Sequence, residues 1–215
     1  MSFYFDPYSK IGLIRCCPAF RVNMGRITLP DGRWWLSGGN LNSVYLDTSI
    51  IFPDTPGPTL PLASSHHCKV QLNSTHILVA GGHNGAFLKT AHILEWDTET
   101  WTPVTDSPIE IYLCFKAGEH AYFTGRNWDE GKLARFKNDD QSWITLENRS
   151  ILRSPSFVTF GNSVLMVGGY LRPPDNVHVD TIYEFDLGSE DWVLRPERLR
   201  EIRSGFSIYE MNIQL

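Results

Sequence analysis

Four strand-like runs in this chain end on glycine in the same way: RWWLSGG (33–39), HILVAGG (76–82), HAYFTG (120–125) and SVLMVGG (163–169). Their last glycines, Gly39, Gly82, Gly125 and Gly169, are spaced 43, 43 and 44 residues apart. After each comes a second run closing on an aromatic: Phe52, Trp96, Phe136 and Phe185. Three of these continue through an Asp- or Asn-containing turn to Trp101, Trp143 and Trp192, and a further strand-like run precedes each glycine strand (FRVNM, CKVQL, CFKAG, FVTFG). A repeat of this length is one supersecondary unit. Here it reads as four short strands, a to d, with no helical periodicity between them. Such a unit is too thin to bury its own faces. About five apolar side chains left exposed on one face, at roughly 1.5–3 kcal/mol each, would cost on the order of 10 kcal/mol, the whole stability of a domain. The units are therefore expected to stack on one another. Glycine at the exit of strand b suits a place where backbones approach closely and φ turns positive.

The pattern resembles the kelch repeat. Gly38-Gly39, Gly81-Gly82 and Gly168-Gly169 match the family's glycine pair, and Trp96-Asp97 with Trp101, and Phe185-Asp186 with Trp192, match its later aromatic–Asp and tryptophan. The third unit has Thr124 where a glycine is expected, and FPDTPGPTLP in the first lacks the tryptophan. The resemblance implies an all-β fold, a single kelch-type β-propeller domain over residues 1–215. Four full four-stranded blades fall at about 17–63, 64–108, 109–150 and 153–202. A fifth is expected from the two termini, 203–215 plus 3–15, because FYFDPYSKIGLI is similar to IYEFDLGSEDWVL and RSGFSIYEMNIQL to RSPSFVTFGNSVLM. A ring closed in this way is expected to be a monomer. An open row would associate with itself or belong to a larger wheel.

The net charge of −5 and the lack of a Lys/Arg block argue against nucleic-acid binding. The most basic stretch, Leu194 to Arg203, is interleaved with Glu197 and Glu201. No apolar run is long enough for a membrane-spanning helix and no signal peptide is evident, so a cytoplasmic location is expected. Cys16, Cys17, Cys68 and Cys114 show neither metal spacing nor a disulfide framework, so reduced thiols are expected, with Cys68 and Cys114 as core filler at matched positions of strand a. His66, His67, Cys68 and His83 are suitable metal-ligand types. Neighbouring strand residues point to opposite faces, however, so no metal or other cofactor is expected. The acidic pairs Asp129-Glu130, Asp139-Asp140 and Glu190-Asp191 fall in turns, where such residues are ordinary.

What remains is a binding surface on variable loops over a regular scaffold. In the kelch family the b–c and d–a loops share one face and carry partner recognition. That places Asn40, Tyr45, His83, Asn84, Arg126, Trp128, Tyr170 and Arg172 on b–c loops, and Arg153 and Arg203 at the starts of d–a loops beside the channel. The expectation is a non-catalytic module for a protein or peptide partner, with the arginines favouring an acidic segment. Many kelch relatives serve as ubiquitin-ligase substrate receptors, which makes that role one expectation. The alternative is an enzyme acting on a small molecule such as a sugar at the channel mouth, as in kelch-like mutarotases or oxidases.

Overall fold

A computed structural model describes residues 21–125, 131–147, 152–160, 163–171 and 177–201. Among them there is no helix, only strands, turns and loops. Sheet I contains β1 (Gly25–Thr28) and β2 (Trp34–Ser37). After a small hairpin of β3 (Asn40–Leu41) and β4 (Val44–Tyr45), it continues with β5 (Ser49–Ile51) and β6 (Thr55–Gly57). Sheet II is β7 (Cys68–Gln71), β8 (His76–Ala80), β9 (Ala91–Glu95) and β10 (Thr100–Val104). Sheet III is β11 (Ile111–Ala117), β12 (His120–Gly125), β13 (Leu133–Lys137) and β14 (Ser142–Leu146). A short pair, β15 (Leu152–Arg153) and β18 (Tyr170–Leu171), flanks sheet IV. That sheet is β16 (Ser156–Phe160), β17 (Ser163–Val167), β19 (Thr181–Asp186) and β20 (Asp191–Arg198). Each sheet is an antiparallel meander whose strands follow chain order, so each sequence unit has become one four-stranded sheet. No described helix is long and apolar enough to cross a membrane.

Side-chain alternation gives every sheet two faces, and successive sheets bury them against each other. From sheet II, Ile77, Val79 and Leu94 point to sheet I and meet Leu29, Trp35, Ile51 and Leu60. From the same strands, Val70, Leu78, Ala80 and Ile93 point the other way and meet Ile111, Phe123 and Phe136 of sheet III. Sheet III in turn presents Phe115, Tyr122 and Leu133 to Val164, Phe185, Phe157 and Trp192 of sheet IV. There Phe115 stacks on Tyr122 at 5.1 Å, and Phe157 on Trp192 at 5.6 Å. Glu190, in a turn of sheet IV, closes the rim of this interface by accepting from the Tyr122 hydroxyl at 2.8 Å and the Arg135 guanidinium at 2.5 Å. The first strands of the four sheets follow one another in space, β1 beside β7, β7 beside β11 and β11 beside β16.

This facing pattern corrects the alignment of the third unit. Val79 points back to sheet I and Phe123 points back to sheet II, so Phe123 occupies the place of Val79. Thr124 then matches Ala80, and Gly125 matches Gly81, the first glycine of the pair. The same correction applies to strand a. Cys114 pairs with Phe123 and Lys69 with Val79, so Cys114 matches Lys69 and not Cys68. Cys68 therefore faces forward and Cys114 backward, and the two meet. They form a disulfide across the interface of sheets II and III, with Cα atoms 5.8 Å apart. The expectation of two reduced filler thiols is overturned at this pair. Cys16 and Cys17 lie outside the described residues.

The glycine pairs serve both purposes expected of them. Gly81 and Gly82 have φ of 68° and 101°, in the left-handed region. A Cβ on Gly81 would overlap Ile111 Cβ and lie 2.8 Å from the Ile111 carbonyl oxygen, and one on Gly82 would lie 2.7 Å from Ser65 O. Gly81→Ala is expected to cost about 2–4 kcal/mol, from a left-handed non-glycine backbone and a methyl forced into a packed wall. Gly85→Ala (φ 78°, with open space around the added methyl) should show only the backbone part, about 1–2 kcal/mol. Urea unfolding of the two variants separates crowding from conformation.

Candidate functional site

The close approach that glycine permits brings together loops that are distant in sequence. Because Gly82 carries no side chain, the segment before β7 lies against the loop after β8, and Ser65 and His83 exchange backbone hydrogen bonds at 3.0 and 2.7 Å. The second loop is pinned again where Leu88 N donates to Gly82 O and Ile111 N donates to Leu88 O. Phe87 thereby sits beside the start of β11. At that point β11 carries a bulge between Ile111 and Leu113. A bulge inserts an unpaired residue and re-aims its side chain. Ile111, fully buried, and Cys114 both pack toward sheet II although three positions apart, which requires the extra residue, Tyr112, between them.

The outcome is a continuous group of rings contributed by sheets I, II and III. The Tyr45 hydroxyl lies 2.7 Å from His83 Nδ1, and the ring centroids are 5.4 Å apart. His83 meets Phe87 edge-on at 4.6 Å, Phe87 meets Tyr112 at 6.2 Å, and Tyr112 stacks on His66 at 5.4 Å with 26° between planes. All five residues are partly buried. His66 Nδ1 is 3.1 Å from Ser65 Oγ. Burial lowers the His66 pKa, and the nearby His83 lowers it further, so this imidazole is neutral at physiological pH. The group offers flat apolar faces edged by polar atoms.

Of the residues singled out in the sequence, Tyr45 and His83 are in this group. Asn40 supports it: its backbone bridges to Val22, and its Oδ1 accepts from Ser43 N at 3.1 Å, closing the β3–β4 turn that carries Tyr45. Asn84 is exposed next to His83, with its N–H donating to Ala86 O at 3.0 Å. Tyr170 pairs in β18 with Arg153 of β15, and its ring lies 5.6 Å from that of His178. Arg126, Trp128, Arg172 and Arg203 lie outside the described residues, as does the Arg153 side chain. His66, Phe87 and Tyr112 were not singled out as partner-binding residues. Tyr112 becomes a site residue only through the bulge, which single-sequence periodicity does not reveal.

A second polar group lies inside, between sheets I and II. His67, 5% exposed, has Nε2 at 2.8 Å from Ser37 Oγ and Nδ1 at 3.3 Å from Ser64 Oγ, in a space left by Gly25 and Gly38. Lys69 places Nζ 3.4 Å from the Trp35 ring centroid and donates to Trp35 O at 3.2 Å. Burial pushes the Lys69 pKa well below its ordinary value. Cys68 is committed to its disulfide and His67 to its serines. Among the described residues no three His, Cys, Asp or Glu side chains gather as a metal site would require. Compared with known proteins, the chain matches no family model and no curated sequence.

Burial, then the charge of Lys69, brings the His67 pKa down to about 3; an interaction with Ser64 opposes this and nearby His66 adds to it. The unfolded chain takes up this proton near pH 6.5 and the folded chain only near 3, so the contribution is complete above 6.5 and is lost as pH falls. The loss is at most about 1.4 kcal/mol per pH unit for one proton. His67→Gln should be less stable at neutral pH yet show a shallower fall between pH 6.5 and 3, read from urea midpoints. An unchanged slope would move the acid sensitivity to Lys69.

Proposed function

We propose that this chain is a kelch-type β-propeller that binds a protein or peptide partner through its loop face. The observation that carries the proposal is the ring group Tyr45–His83–Phe87–Tyr112–His66, assembled from loops and strand ends of three sheets. Tyrosine is enriched at binding hot spots, where a polar tip on a large flat body gives area and orientation at small entropic cost. All five rings are only partly buried, which leaves part of each face open to a docking partner. Their flat faces with polar edges favour an apolar or aromatic side chain flanked by backbone amides, and add a second determinant to the acidic segment suggested by the loop arginines.

The propeller geometry is supported by the sequence of first strands, β1, β7, β11 and β16, and by the two outermost faces. Alternation puts Leu36 and Ile50 on the outer face of sheet I and Val158, Leu165 and Ile182 on that of sheet IV, all buried or partly buried. Val193, 52% exposed, belongs to the same outer face of sheet IV. Apolar faces at both ends of a row fit a ring closed by a fifth blade.

Affinity capture from a cell extract with the full chain tests the reading. Phe87→Ala with Tyr112→Ala is expected to weaken any captured partner at least about thirtyfold, the effect of losing about 2 kcal/mol at a hot spot. Thr102→Ala, exposed on the edge strand β10 of sheet II, should capture as the parent does. Equal capture by all three forms would count against this surface.

A further inference from the structure

We propose that Cys68–Cys114 is a thiol–disulfide exchange site that latches the ring group. His66 lies two residues before Cys68, and Tyr112 two residues before Cys114. The two strands that carry the His66–Tyr112 stack are therefore tied by sulfur immediately below it, with Cα atoms 5.8 Å apart. β7 and β11 belong to different sheets, so no ladder of backbone hydrogen bonds joins them. At the other end of the same strands Lys116 Nζ donates to Gln71 O at 2.9 Å and Leu72 O at 3.3 Å. Opening the disulfide leaves that far end held while the near end, where the rings stack, loses its covalent tie. Leu78, Ile93, Phe123 and Phe136 also pack between sheets II and III and keep their contacts when the S–S bond opens.

The exchange partner is a low-molecular-weight thiol and its disulfide. Cys68 is 6% exposed whereas Cys114 is only partly buried, so attack falls on Cys114. The incoming thiolate forms a bond to Cys114 Sγ and the protein S–S bond breaks. Its electron pair goes to Cys68 Sγ, which takes a proton. A second thiolate then attacks the mixed disulfide, releasing Cys114 as a thiol after protonation and the small molecule as its disulfide. Two thiols are oxidised and one protein disulfide is reduced. The reverse sequence re-forms the latch.

The latch is measured without any binding partner, although its consequence for recognition rests on the reading of the ring group given above. The full chain is treated with reduced glutathione under native conditions, free thiols are counted by alkylation, and the His66 ring protons are followed by NMR. Tyr112→Ala, which removes the stacked ring and keeps both cysteines, supplies the unstacked reference. We expect alkylation at Cys68 and Cys114 and movement of the His66 ring signals toward that reference. Amide exchange protection of Leu78 and Phe123 should be retained, and oxidised glutathione should restore the starting spectrum. Free thiols at both Cys68 and Cys114 with unmoved His66 signals would overturn the latch. So would resistance of the pair to reduction until the chain unfolds, which would make it a permanent brace. Neither result bears on whether the loop face binds a partner, which the capture experiment decides separately.

Discussion

The burial of both faces of each thin sheet against its neighbours is the constraint on which everything else in this molecule rests. One such repeat cannot bury its hydrophobic faces alone, and stacked neighbours make the continuous core. Sheets II and III meet the requirement by being apolar on both sides, so their strands read as nearly unbroken hydrophobic runs such as ILVA and AYFT. Packing both faces draws the first strands close together, and this is why Gly81 meets Ile111 and Gly82 meets Ser65 with no room for a methyl. The same close approach lets one loop reach the next and lets rings from three units meet. The candidate site is a consequence of the packing and needs no framework of its own.

A single extra residue in β11 carries much of the remaining chemistry. Side chains alternate with a period of two, so shifting the phase by one residue moves each later residue to the opposite face. The bulge at Tyr112 lets Ile111 fill the interface with sheet II while Cys114 turns to the same side and reaches Cys68. It also frees Tyr112 from the ladder to stack on His66. In the matched place at the previous interface, Lys69 lies over Trp35. In the following one, Phe157 packs with Trp192. One structural position thus holds a lysine, a disulfide-bonded cysteine and an aromatic ring in successive sheets.

The all-β class, the four four-stranded units and the glycine-exit positions were legible in the sequence because each rests on local chemistry repeated at a fixed interval. The phase of the third unit was not. Counting from its last glycine set Gly125 against Gly82, whereas the faces of Ala121, Tyr122 and Phe123 set it against Gly81. That one-residue error placed Cys68 and Cys114 on equivalent sides, where they could not bond, and so concealed the disulfide. The ring group was half legible. Tyr45 and His83 stand in loops that sequence variation marks, but His66 was weighed only as a metal ligand and Tyr112 belongs to a strand. Their union depends on contacts between units, which no reading of one unit at a time contains.

The three described interfaces differ in what closes them, and this gives the loop face unequal footings. Between sheets I and II the buried His67 and Lys69 rely on staying largely uncharged or fully compensated, so acid acts there first. Between II and III the distinctive element is a covalent bond that responds to thiols and not to acid. Between III and IV the distinctive element is a stack of Phe115, Tyr122, Phe157, Phe185 and Trp192, rimmed by the Glu190 carboxylate that accepts from Tyr122 and Arg135. Tyr45, His83 and Phe87 with Tyr112 and His66 straddle the first two interfaces and leave the third alone. The chain has therefore assembled its ring group over one contact that holds a buried histidine and lysine and one held by a covalent bond, and placed the aromatic stack behind them.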